Sequence, residues 1–80
     1  MQTYISETEL DRNTILSIHK MKEDDIFTFV QDYDPNALDV KCIVYSPDVK
    51  KFVIKYMSKN TSKYLFVDFN GKQFVNTDGE

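Results

Sequence analysis

The sequence predicts an α+β fold, with an N-terminal helix packed on an antiparallel β-meander of four to five strands. Three observations point to it. A capping-box pattern near the start leads into apolar residues at helical spacing. Four stretches between residues 39 and 76 are rich in strand-favouring residues and are separated by short polar turns. Asn70-Gly71, between the last two stretches, is the strongest hairpin signal in the chain. A small mostly-β barrel with a short helix is the alternative.

The first helix is expected over about 7–21. Ser6 would accept from the backbone N–H of Glu9, and Glu9 would reach back to the N–H of Ser6. Ile5 and Leu10 would form the accompanying hydrophobic staple. Leu10, Thr14, Ile18 and Met21 continue at helical spacing. The β-branched pair Thr14-Ile15 leaves a rival, a short helix followed by a strand over 14–20.

Segment 24–33 carries two signals. Ile26, Phe29, Val30 and Tyr33 fall at i, i+3, i+4 and i+7, with Asp24 or Asp25 as a cap. The run Ile26-Phe-Thr-Phe-Val30 is nevertheless almost wholly strand-favouring, which tips the reading to strand. Asp34-Pro35-Asn36 then breaks the chain. Strands are expected at 39–45, 49–57, 63–69 and 72–76. The joints are Ser46-Pro47-Asp48, the five residues Ser58 to Ser62, and a two-residue type I′ turn at Asn70-Gly71.

Eighty residues make one domain, and a chain of this size buries roughly 60–65% of its unfolded surface. An apolar fraction of 41% with eleven aromatics is enough to build a core. The single cysteine, Cys42, cannot form an internal disulfide. The N-terminus lacks the regions of a signal peptide, and no apolar run approaches a membrane span. These features predict a soluble, cytoplasmic protein with no membrane association. Lys, Asn, Ile, Phe, Tyr and Met number 34, whereas Ala, Gly, Pro and Arg number 6, a bias that suggests an AT-rich genome such as those of many bacteriophages.

The predicted sheet does not alternate cleanly between apolar and polar faces, as a sheet wet on one side should. In 63–69 one face shows Leu65, Val67 and Phe69, and the other Tyr64 and Phe66. In 49–57 one face shows Phe52, Ile54 and Tyr56, and the other mixes Val49, Val53 and Met57 with Lys51 and Lys55. One helix covers one face only. The other face then closes into a barrel, meets a second copy in a homodimer, or contacts another molecule.

Charge is polarised along the chain. Residues 1–40 carry nine acids against three basic residues, and residues 41–72 carry seven lysines against two acids. Two candidate surfaces follow. Glu23, Asp24, Asp25, Asp32 and Asp34 could dock on a basic protein target, since complementary charge accelerates encounter and sets specificity. The competing account is ordinary helix-start and turn chemistry. Lys51, Lys55, Tyr56, Lys59, Lys63 and Tyr64 could instead form an RNA- or single-stranded-DNA-binding face, with lysines on phosphates and rings stacked on bases. Against it stand the acidic balance of the whole chain and the use of lysines to keep sheets from aggregating.

Catalytic and metal readings find little. Asp32-x-Asp34-x-Asn36 opens like a calcium loop, but Ala37 and Ile43 stand where glycine and glutamate are needed, so an Asx turn is expected. His19 and Cys42 are single residues of their kinds, too few for a structural zinc site. No phosphate-cradling glycine loop and no nucleophile elbow occur. The expectation is a non-enzymatic protein without cofactor or metal. It would regulate or inhibit a larger protein, in the manner of a phage-encoded inhibitor of a host system, with nucleic-acid binding as the alternative.

Overall fold

The computed structural model describes residues 5–77. Two helices precede a four-stranded antiparallel open sheet of order β1-β2-β3-β4, an α+β fold with N-terminal helices on a β-meander. The elements are α1 (Arg12–His19), α2 (Glu23–Tyr33), β1 (Ala37–Ser46), β2 (Lys51–Ser58), β3 (Thr61–Phe69) and β4 (Phe74–Asn76). The sheet stays open, so the barrel alternative does not apply.

The first helix is shorter than its pattern predicts. Ile5 forms a parallel bridge with Ile43 on the outer edge of β1, and the Ser6 N–H donates to the Ile43 carbonyl at 3.2 Å. That bond takes the N–H which a capping box would have given to Glu9. Glu9 instead adopts a left-handed φ of 56°. The cap moves to Asp11, whose carboxylate accepts from the Thr14 N–H at 3.3 Å. The rival strand over 14–20 is helix throughout its first six residues.

Segment 24–33 is helix, which corrects the strand reading. The helical spacing won over β-propensity because Ile26 and Val30 fall on one stripe and bury against the sheet. Glu23, Asp24 and Asp25 occupy the first turn, where negative charge opposes the helix dipole favourably. Asp34 ends the helix with φ −135° and ψ 98°, the extended geometry that a following proline enforces.

The turns also differ from expectation. The β2–β3 connection is only Lys59-Asn60, because Ser58 pairs with Thr61 and extends both strands inward. Lys59 there has a left-handed φ of 56°. The β3–β4 connection spans Asn70 to Gln73 rather than a two-residue turn. Asn70 Oδ1 accepts from the backbone N–H groups of Lys72 at 3.0 Å and Gln73 at 2.9 Å, which withholds them from the ladder. Strand β4 therefore begins at Phe74. Gly71 sits at φ 93°, where a side chain would be strained.

The core lies between the helices and one face of the sheet. Ile18, Ile26 and Val30 from the helices meet Val40, Ile43, Phe52, Ile54, Tyr56, Leu65, Val67 and Phe74 from the strands. Ile43, Ile54 and Leu65 are paired neighbours across three strands, and each is fully buried. An edge-to-face aromatic group caps this layer, with Phe52 at 5.6 Å and Phe69 at 5.5 Å from Phe74.

Strand β1 departs from simple alternation twice. Register shifts fall between Ala37 and Asp39 and between Val40 and Cys42. Each inserts one residue, so Val40 pairs with Tyr56 on the helix side while Cys42 pairs with Lys55 on the opposite side. Cys42 and Val53 are buried yet lie outside the core between sheet and helices.

Candidate functional site

Three surfaces carry the residues singled out by sequence: the acidic side of α2, the end of the sheet beside the α2 C-terminus, and the helix-free face of the sheet.

On α2, Glu23, Asp24, Asp25 and Asp32 are all exposed. None makes an ion pair within 4 Å among the described residues, where the pairs are Lys41–Asp39 and Lys51–Asp68. Asp25 and Asp32 lie seven residues, or two turns, apart and so share one side of the helix. Both line a groove of about 720 Å³ between the helices and β4. Lys20 and Lys72 contribute to its polar walls, and Met21, Phe29 and Phe74 to its apolar lining. The ring centroids of Phe29 and Phe74 are 6.3 Å apart, which ties α2 to the last strand. No local pattern signals this groove, because it depends on where a three-residue edge strand lands.

Asp34 does not belong to that acidic surface. It is half-buried and accepts from the Tyr56 hydroxyl at 3.1 Å and from the Asn36 N–H at 3.0 Å, the latter forming the expected Asx turn. Its carboxyl is held below the ordinary value of 3.8, first by the Asn36 N–H and then by the Ser58 hydroxyl. Partial burial opposes this, while the Tyr56 hydroxyl and the Lys63 ammonium reinforce it. The Asp34 backbone carbonyl also accepts from the Ala37 N–H at 2.9 Å. Asp34 thus fastens the end of α2 to β2 and the start of β1.

The proposed nucleic-acid face is divided by the sheet. Tyr56 is buried on the helix side at 2% exposure, so its ring cannot stack on a base. Lys63 pairs with Tyr56 and projects to that same side, near Asp34. Lys59 stands in the β2–β3 turn. Only Lys51, Lys55 and Tyr64 share the helix-free face. There Lys51 is 3.4 Å from Asp68, and the Lys55 ammonium lies 6.0 Å from the centre of the Tyr64 ring.

Around those three residues the helix-free face has an apolar centre with polar flanks. Its central row is Val44, Val53 and Phe66, in register across β1, β2 and β3. Cys42, Lys55 and Tyr64 form the row on one side, and Ser46 and Lys51 lie on the other with the ion-paired Asp68. Tyr64 is 55% exposed and Val75 39%.

Among the described residues the single histidine and the single cysteine are not brought together. His19 is exposed in the last turn of α1, and Cys42 is buried on the far side of the sheet. Among the described residues no group of three or more metal-ligating side chains occurs, and no helix is long and apolar enough to cross a membrane.

In comparisons with family models, curated proteins and solved structures, nothing matches this chain.

Proposed function

We propose that this protein is a non-enzymatic binding module that regulates or inhibits a larger protein bearing a basic surface. The docking surface is the acidic side of α2, formed by Glu23, Asp24, Asp25 and Asp32. The observation that carries this reading is that Glu23, Asp24, Asp25 and Asp32 are exposed with no ion pair among the described residues, Asp25 and Asp32 lying beside an apolar strip of Phe29 and Phe74. Carboxylates without an internal ion-pair partner supply long-range attraction, and a concave apolar strip supplies area for contact. Asp34 is not part of the docking surface, because each of its carboxylate oxygens already accepts a hydrogen bond within the fold.

The nucleic-acid reading has weaker support. Its six residues do not share a face, and Lys51 is already neutralised by Asp68.

The test is capture from nuclease-treated lysate with the wild-type protein and with a variant carrying Glu23→Lys, Asp24→Lys, Asp25→Lys and Asp32→Lys. We expect a retained protein whose capture falls with added salt and is lost with the variant. Capture that is unchanged by charge reversal, or that disappears on nuclease treatment, overturns this reading.

A further inference from the structure

We propose that the helix-free face of the sheet is a self-association surface, occupied by a second copy of this chain across a two-fold axis parallel to the strands between β2 and β3.

The argument starts from which residues oppose one another on that face. Reading along β2 and β3, the neighbours are Lys51 beside Asp68, Val53 beside Phe66, Lys55 beside Tyr64, and Met57 beside Ser62. A two-fold axis along the strands exchanges the two strands between copies. Each residue then lies over the residue type that already neighbours it within its own sheet. Lys51 meets Asp68 of the second copy, Val53 meets Phe66, and Lys55 meets the face of Tyr64. Three of these four rows are complementary under this operation, cation to anion, apolar to apolar and cation to aromatic ring, and in the fourth Met57 meets Ser62. An isologous contact needs that property.

The face also has the form of an inner sandwich face. It is helix-free, and its central row has half-buried Val44 and Phe66 on either side of Val53, itself 9% exposed, β-branched and aromatic side chains suited to packing about 10 Å from a facing sheet. Its extent sets the strength. Three strands of roughly seven residues and the three-residue β4, at about 4.8 Å spacing and about 3.3 Å rise, give a flat footprint near 380 Å² per copy. Two footprints total about 760 Å² before side-chain relief is added, below the roughly 1,200 Å² of stable specific interfaces and in the range of weak, transient ones. The dimer is therefore concentration-dependent rather than obligate. This inference does not depend on the acidic docking surface, which lies on the opposite side of the sheet and stays open in the dimer.

The test is sedimentation velocity across a wide concentration range on the wild type, on Lys51→Asp, on Asp68→Lys, and on an equimolar mixture of the two variants. In either variant alone, like charges face one another across the axis. In the mixed pair, opposite charges are restored at both crossings. We expect the wild type to shift from one-copy to two-copy mass with concentration. Each variant should stay at one-copy mass, and the mixture should regain the two-copy species. A wild type that remains monomeric at millimolar concentration overturns the proposal, as does a mixture of folded variants that fails to associate. Should the variants not fold, isotope-filtered NMR on mixed labelled and unlabelled wild type decides. Intermolecular contacts between the Val53 methyls and the Phe66 ring support the two-fold, and intermolecular contacts confined to the helices overturn it.

Discussion

The Tyr56 hydroxyl donates to the Asp34 carboxylate at 3.1 Å, joining the residue that ends α2 to the middle of the second strand. Tyr56 itself is buried at 2% exposure, so the bond anchors a ring already fixed by the core. Because Asp34 also receives the Asn36 N–H, one carboxylate sets both the end of the helix and the entry into β1.

This arrangement gives the fold a defined acid response. The Asp34 carboxyl is held below its ordinary value of 3.8 in the folded state, chiefly by the Asn36 N–H and the Ser58 hydroxyl. Between the folded and unfolded values the unfolded chain binds more protons, so the contribution is complete above pH 3.8 and is lost as pH falls through the folded value. We expect Asp34→Asn to lower the urea midpoint at pH 6 and to flatten its decline under acid. Urea titrations at intervals between pH 2.5 and 6 check this, and parallel curves for the two proteins would contradict it.

Lys59 is held at a left-handed φ of 56° in the two-residue β2–β3 connection. For an L-residue that region costs about 1 kcal/mol relative to glycine. Lys59→Gly should therefore stabilise the protein by up to roughly 0.5 kcal/mol, net of the greater freedom glycine has when unfolded. Lys59→Pro should destabilise, since proline cannot adopt that φ and removes the N–H that donates to the Asn36 carbonyl at 3.3 Å. The order of urea midpoints, Gly above Lys above Pro, is the readout.

Ile54 sits between Ile43 and Leu65 with no exposed surface. Ile54→Ala should cost about 2–4 kcal/mol through lost burial and the cavity left behind. Leu38, an extra residue at the first bulge, is 62% exposed, and Leu38→Ala should cost less than about 0.5 kcal/mol. Chemical denaturation of both variants separates the two cases. For a chain this small, with roughly 5 kcal/mol in total, the first change removes most of the stability.

Asn70 Oδ1 organises the last hairpin by accepting two backbone N–H groups. Asn70→Ala should cost about 1 kcal/mol and release the amides of Lys72 and Gln73 to exchange. Hydrogen exchange at those two amides, compared with an amide in β2, gives the answer. Unchanged protection at Lys72 and Gln73 would show that the loop is held by other means.

Much of the meander was legible because period-two patterning and turn residues are local. Strands β1, β2 and β3 fall within two residues of their expected positions at each end, and Asn70-Gly71 marks a real hairpin. The acidic docking candidates were legible as a run of charge, but Asp34 was not separable from them. What distinguishes it is Tyr56, 22 residues away in sequence and brought near only by the fold.

The sequence by itself determined the α+β class, the order of the strands and the break at Asp34-Pro35, because each rests on backbone preferences acting over a few residues. Tertiary structure decided the rest. Segment 24–33 became helix because its apolar stripe had a sheet face to cover. Ser6 gave up its cap because the edge of β1 offered a carbonyl. The bulge between Val40 and Cys42 sent Val40 to the core and Cys42 to the opposite face, although they stand two residues apart. Alternation says which residues share a face only while the register holds. Where it slips, and which face the helices cover, is settled by long-range packing.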